Sequence, residues 1–475
     1  MAETTTTQMP LGATWDEVRE WDERYYLHPF KAADEYHPVA VERGEGSYLV
    51  LADGRRVLDF LSQYCCVNLG QAQPQIAAAI AEAASRFAYL SEPWTSDYRA
   101  KASKLIVEDL LGPDGWAGAV RFLSTGSEAT EMALMVARLY TGRSLVVTQE
   151  FSYHGWTEGS VGTTGVRGMR GNLSTADGEV REVPTAIDQH NYALAPAPSH
   201  WPEWTGELDD GRLPCVAQTE RLIQELLGPE NVAAFICDVS QAPGIHPPPQ
   251  YIPQIAEMCR RLGVLWIDDE VLCGFGRMGT WFGYQAFPGV APDIMTMGKG
   301  MMGAAVPAAG IVVNREIAEF LRERRWWNAI TMAAHPVAMA ALVANIELML
   351  EEDIVAHAAR MGEYLGPRLL DLEGRHPSVG HVNGAGLFWL IELVKNKDTA
   401  ERFVPEDRRT MGTGDVDAWP VSRIAASCLE RGVSISGFVP NTLRIAPPLT
   451  VTGAECDEAL TALDFALSEL DRDCT

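Results

Sequence analysis

The chain has 475 residues, 47% apolar and 21% charged, enough to bury a sizeable core and to exclude global disorder. At ~150 residues per domain this length suggests two or three domains, or one large domain with a satellite. A formal net charge of −26 repels phosphate backbones and anionic bilayers, so neither nucleic acid nor a membrane is an expected partner.

In chain order, Met1 to Pro10 is polar and threonine-rich, without the basic start and apolar core of a signal peptide. Residues 1–45, with Trp15, Trp21, Tyr25 and Tyr26, read as an arm that packs on something else. Tyr48 to Phe60 reads as a hairpin around Asp53-Gly54, and Gln75 to Ala88 as a helix. Ala119 to Leu123 is a strand, Glu128 to Tyr140 a helix and Ser144 to Thr148 a strand. Residues 171–216 lack periodicity and read as a long functional or covering loop. The strands resume at Ala233 to Cys237, Val264 to Ile267, Asp293 to Thr296 and Gly310 to Val313, with a helix at Pro253 to Leu262. Short, uniformly apolar strands alternating with helices argue an α/β fold around a buried, mainly parallel sheet. In such a sheet, chemistry gathers at the carboxyl ends of the strands.

Met332 to Leu350 carries His335, Asn345 and Glu347, so it reads as a buried helix rather than a membrane span. A helix at Ile354 to Leu372 and a strand at Gly386 to Glu392 follow, then a charged loop at Glu401 to Asp417. Ser422 to Arg431 is a helix, Val433 to Ser436 and Thr442 to Ile445 are strands, and Ala454 to Leu470 is a last helix opened by Thr452. This change of pattern suggests a smaller α+β unit. The nine cysteines form no C-x-x-C pair, which suits a reducing compartment and a cytoplasmic protein. The histidines form no H-E-x-x-H pattern, so no metal site is expected.

The lysines are Lys31, Lys101, Lys104, Lys299, Lys395 and Lys397, so chemistry that needs a primary amine has few candidates. Only Lys299 follows an apolar strand between two glycines. A desolvated amine there suits Schiff-base chemistry, whereas an ordinary loop lysine would be solvated. Asp269 ends the strand Val264 to Ile267, where a carboxylate is costly unless it binds something; it could hold a proton on a pyridine nitrogen. The run Ser124-Thr125-Gly126-Ser127-Glu128 reads equally as an anion site at a helix N-terminus and as a plain capping box. Tyr153 could stack on a flat cofactor or simply pack in its loop. The G-x-G-x-x-G run at residues 274–279 opens no helix directly after a strand, so a dinucleotide site is not expected there.

Taken together, these residues resemble the class III, or omega, pyridoxal-phosphate aminotransferases. The runs I-D-D-E-V-L-C-G-F-G-R-M-G and A-P-D-I-M-T-M-G-K-G are similar to that family's aspartate-to-lysine segment. The resemblance implies that Lys299 forms the internal aldimine with pyridoxal 5'-phosphate and that Asp269 pairs with the pyridine nitrogen. Val271 and Tyr153 would cover the two ring faces, and Gly126 and Ser127 would take the phosphate. T-M-A-A-H-P implicates Thr331 in reaching the phosphate of the neighbouring subunit of a homodimer. L-R-I-A-P-P-L makes Arg444 a candidate for a substrate carboxylate. The implied fold is fold type I, with a mostly parallel seven-stranded sheet. The implied domains are an arm and part of a small domain (1–70), a large cofactor-binding domain (71–335) and a C-terminal small domain (336–475).

Leu272 stands where many members have glutamine, which is more like the subgroup acting on omega-amino acids and amines with pyruvate. Cys65 stands where that subgroup often has tryptophan, and Trp156 where the gamma-aminobutyrate and ornithine enzymes have arginine. Asp238-Val-Ser-Gln241 is a degraded form of another family run. Tyr64, Cys65, Trp156, Trp326 and Trp327 suggest an aromatic pocket, although core packing would also explain them. The activity implied is ping-pong transfer of an amino group from an amine or omega-amino acid to a 2-oxo acid, pyruvate or 2-oxoglutarate. Lys299 would act as the general base. The alternatives are an epimerase or mutase of the same fold, and a catalytically retired scaffold.

Overall fold

The computed structural model describes residues 12–29, 38–166, 169, 173–174, 180–181, 192–196, 208, 210–241, 245–405 and 416–475. Most of the 171–216 loop, part of the charged 401–417 loop and Lys31 lie outside them. The N-terminal arm contains a helix, α1 (Trp15–Tyr25), opened by a Thr14/Glu17 capping box and burying none of its residues. β1 (Val41–Glu45), β2 (Tyr48–Leu51) and β3 (Arg56–Asp59) form an antiparallel meander, with Asp53-Gly54 turning between the last two as expected. Helix α2 (Pro74–Arg86) follows.

The central layer is one sheet of seven strands: β4 (Ala117–Leu123), β5 (Leu145–Gln149), β6 (Tyr192–Ala195), β7 (Val232–Cys237), β8 (Leu265–Asp269), β9 (Ile294–Met297) and β10 (Ala309–Asn314). Their order is β4-β10-β9-β8-β7-β5-β6, and β10 alone runs against the rest. Every residue of β7 is buried, as a strand covered on both faces requires. Helix α3 (Gly126–Thr141) lays Ala129, Met132, Ala133, Val136 and Ala137 into the core and stops on left-handed Gly142. Helix α4 (Tyr251–Leu262) leads into β8.

Helix α5 (Pro336–Glu351) starts later than its apolar run suggests. Residues 331–334 remain in turns, and proline takes the first helical position, where no N–H is needed. Helix α6 (Ile354–Arg375) leads into β11 (Val379–Ala385), β12 (Phe388–Leu393) and helix α7 (Pro420–Glu430). The expected single strand at Val433 to Ser436 is divided between two sheets. β13 (Val433–Ser434) runs parallel to β3, whereas β14 (Ser436–Val439) pairs with β15 (Thr442–Ile445) in the sheet β11-β12-β15-β14. Helix α8 (Gly453–Leu470) carries the Thr452/Glu455 capping box. The two ends of the chain thus share one sheet. Among the described residues, no helix is long and apolar enough to cross a membrane.

Candidate active site

The carboxyl ends of β4, β5, β7, β8 and β9 converge on one edge of the large sheet, and each delivers a polar group there. β8 ends in Asp269, which is buried. Parallel pairing places Thr296 of β9 beside it, and the Thr296 hydroxyl donates to Asp269 Oδ1 at 2.7 Å. The Val271 amide donates to the same oxygen at 3.1 Å. Asp269 Oδ2 lies 2.6 Å from His154 Nδ1, in the turn that follows β5.

Burial pushes the Asp269 carboxyl up. The His154 hydrogen bond and charge, with Thr296 and the Val271 amide, outweigh it and hold the group below its ordinary value. For His154, burial acts against the proton, while Asp238, 3.3 Å away, and Asp269 hold its pKa above the ordinary histidine value. His154, Asp238 and Asp269 have the make-up of a metal-binding set, with ligand atoms all within 4.8 Å of one another. The 2.6 Å contact argues against that use. Two ligands at ~2.1 Å from a tetrahedral ion sit about 3.4 Å apart, so this contact is a charge-assisted hydrogen bond.

Lys299 follows β9 in a turn with φ +45°, half-buried, in a segment otherwise lined by buried Met297, Gly298, Gly300, Met301 and Met302. Its amine makes no hydrogen bond or ion pair among the described residues, and its charge reaches the Cys66 thiol. Gly300 cannot be larger, because a Cβ there would lie 2.1 Å from Asn68 Nδ2.

Between β4 and α3, Thr125 caps the helix by accepting from the Glu128 amide at 3.2 Å. Both sequence readings of this run hold together: the cap is made, while the Gly126 and Ser127 amides meet no acceptor among the described residues. The Ser127 hydroxyl accepts from the Trp156 amide at 3.1 Å, and a Cβ on Gly155 would stand 2.6 Å from it. The turn carrying Tyr153 and His154 is therefore pressed against the head of α3. Val271 joins the remaining parts: a Cβ on either Gly126 or Gly298 would come 3.3 Å from its Cγ1. Free amides at a helix N-terminus, a buried anionic carboxylate and an uncommitted amine thus share one cleft. That donor set fits a phosphorylated pyridine aldehyde.

The expected substrate residues approach the same cleft. Tyr64 is 55% exposed and lies close enough to Tyr153 and Arg444 to influence the titration of both. Arg444, in β15, is buried, and burial lowers its pKa. Trp156 is 64% exposed. Trp326 packs on the core beneath β10, whereas Trp327 is 91% exposed, so those two tryptophans are not one pocket wall. Thr331 is exposed beside exposed Met332. The roles of His154, Asp238 and Thr296 were not read from the sequence. The signal for Thr296 was its place at the end of the strand next to Asp269; His154 was quoted only as part of the turn.

The family description Aminotransferase class-III matches residues 30–467. The chain is 31% identical over 464 residues to the putrescine–pyruvate aminotransferase of Pseudomonas aeruginosa, covering 94% of this chain and 95% of that one. It is 27% identical over 458 residues to the isoleucine 2-epimerase of Lentilactobacillus buchneri, covering 95% and 94%. The crystal structure of an S-selective transaminase from Arthrobacter sp. superposes with a TM-score of 0.92 at 44% identity, covering 97% of this chain and 99% of the other.

Proposed function

This chain belongs to the class-III aminotransferases, pyridoxal-phosphate-dependent transaminases of fold type I, and from that premise we propose that it moves an amino group from an amine or omega-amino acid to pyruvate or 2-oxoglutarate. The observation that carries this reading is the cleft itself, where Lys299, Asp269 and the head of α3 meet around Val271. When bound, the cofactor supplies an electron sink for charge developing on the donor carbon and a carrier for the amino group.

The chain's own residues divide the remaining work. The Gly126 and Ser127 amides bind the phosphate, joined by Thr331 from a second subunit. Val271 and Tyr153 hold the ring between them. Asp269, kept anionic by His154, keeps a proton on the ring nitrogen. Lys299 carries the proton to and from the donor carbon; its freedom from hydrogen bonds suits a group that must move. Arg444 receives the carboxylate of a 2-oxo acid or amino acid, with Tyr64 and Trp156 beside it. The exposed Trp327 and Met332 next to Thr331 support a homodimer. Nine unpaired thiols support a cytoplasmic protein. We assign residues 1–70 to an N-terminal arm and part of a small domain, 71–335 to the large domain and 336–475 to the C-terminal small domain, a division that the β3–β13 pairing supports.

A panel of amine donors tested against pyruvate and 2-oxoglutarate checks the proposal. Carbonyl product must form in step with alanine or glutamate. Since a relative is an isoleucine 2-epimerase, inversion of an amino acid with no acceptor present is the outcome that would favour the other reading.

A further inference from the structure

The G-x-G-x-x-G run at residues 274–279 forms turns rather than opening a helix, and its arginine is fully buried. Arg277 has no ion pair among the described residues, yet its two terminal nitrogens donate to four acceptors from three separate segments. Nη1 donates to Leu387 O at 3.2 Å and Pro447 O at 2.5 Å. Nη2 donates to Ser62 Oγ and Asn68 Oδ1, both at 3.0 Å. Those acceptors belong to the turn between β11 and β12, the chain after β15, and the segment that follows β3. Buried Asp59 acts on this guanidinium only from beyond ion-pair distance, and burying so loosely compensated a charge is a poor way to gain stability, because an apolar side chain of similar volume usually does as well. What the planar fork provides is fixed geometry.

The segment it holds is strained. Ser62, Gln63 and Cys65 all have positive φ, at 42°, 59° and 57°, conformations that non-glycine residues rarely adopt. Buried Asp59 supports this turn from below, accepting from the Gln63 amide at 3.1 Å and from Gln63 Nε2 at 2.8 Å. Ser62 Oγ, held by Arg277, donates to Ala446 O at 2.6 Å, two residues beyond Arg444. The turn is thereby tied to the end of the strand that carries Arg444, and its Tyr64 and Cys65 act electrostatically on that guanidinium. On its other side, Asn68 donates to Phe275 O at 2.8 Å and packs against Gly300, next to Lys299. Strain that is over-determined by its surroundings tends to sit where a site needs a fixed shape.

We propose that Arg277 is a positioning residue for the donor pocket: through Ser62 and Asn68 it locks the strained 62–66 turn, and so fixes Tyr64 and Cys65 relative to Arg444 and Lys299. This rests on the reading of Tyr64 and Arg444 as pocket residues. Arg277 is fully buried and its hydrogen bonds all go to the protein itself, so its loss acts on donor choice and not on the chemistry of the cleft.

The test compares Arg277→Lys, Ser62→Ala and Tyr64→Ala holoenzymes, using a small aliphatic amine and a bulky aromatic amine as donors. Cofactor absorbance, cofactor-release midpoint, kcat and KM are measured for each. We expect Arg277→Lys and Ser62→Ala to shift the ratio of KM values between the two donors by about tenfold. The cofactor band and release midpoint should stay in place, and kcat should change less. An equal loss with both donors, tracking a fall in Tm, would make Arg277 a structural residue only and overturn the proposal. Should Arg277→Lys fail to fold, Ser62→Ala decides alone. A Tyr64→Ala effect on the ratio without a Ser62→Ala effect contradicts the clamp. A Tyr64→Ala variant with unchanged ratio contradicts the pocket reading, and the clamp falls with it.

Discussion

His154 Nδ1 stands 2.6 Å from Asp269 Oδ2, and neither side chain is open to solvent. Two opposite charges in so dry a place hold each other ionised. His154→Asn keeps a hydrogen-bond donor but loses the charge, so the Asp269 pKa should rise toward its ordinary value. The acid limb of the kcat/KM profile should then move to higher pH, with about a tenfold loss below it. Asp269→Asn should cost at least about a hundredfold at every pH. A pH–rate profile of each variant checks both.

Glu270 gives the fold a dependence on pH of its own. It is fully buried beside buried Asp268, with which it shares a hydrogen bond, and burial pushes its carboxyl up to about 7, against the amides of Gly283 and Tyr284. An unfolded chain loses that proton near pH 4.5, whereas the fold keeps it until about 7. Between these values the folded state binds more protons, so this group's contribution to stability falls as pH rises and levels off above. Glu270→Gln should flatten that part of the curve and raise stability relative to the parent at pH 8. Unfolding midpoints across the range read the difference.

Gly155 has φ +132°, and a Cβ there would collide with the Ser127 hydroxyl and with Ser127 Cα at 2.9 Å. Gly155→Ala must push the 153–156 turn off the head of α3. We expect a loss of about 2–4 kcal/mol in stability and much weaker cofactor retention. Thermal unfolding with and without added cofactor measures both.

Arg444 can be tested one half-reaction at a time. Arg444→Gln should leave the half-reaction with a simple amine unchanged, because that donor has no carboxylate. The half-reaction with alanine or pyruvate should slow by about a hundredfold, the worth of a charge-assisted bidentate contact. Stopped-flow absorbance separates the two.

Much of the large sheet was legible because its strands are short apolar blocks. β7 is one such block, Val232–Cys237, buried throughout. β6 (Tyr192–Ala195) was missed because it is four residues long inside a polar stretch and is defined by its pairing with β5. β11 was missed because Val379–Ala385 mixes histidine, asparagine and glycine with its apolar residues. Val433 to Ser436 reads as one strand by composition, but its two ends join different sheets, which only tertiary pairing decides. In the site, Lys299 and Asp269 announced themselves as charges in apolar surroundings. The partners of Asp269 did not: His154 lies 115 residues away along the chain. Arg277 was hidden inside a run whose glycines suggested only a dinucleotide site to dismiss.

The central claim is amino-group transfer carried by Lys299, and a single-turnover experiment tests it most directly. Purified holoenzyme is mixed with one amine donor and no acceptor, and the cofactor absorbance is followed. The account predicts one stoichiometric loss of the aldehyde-form band that then stalls, with one equivalent of carbonyl product. Full recovery should follow on adding pyruvate or 2-oxoglutarate, and Lys299→Ala should show neither step. Continued turnover of the donor without an acceptor, or activity retained by Lys299→Ala, would contradict it.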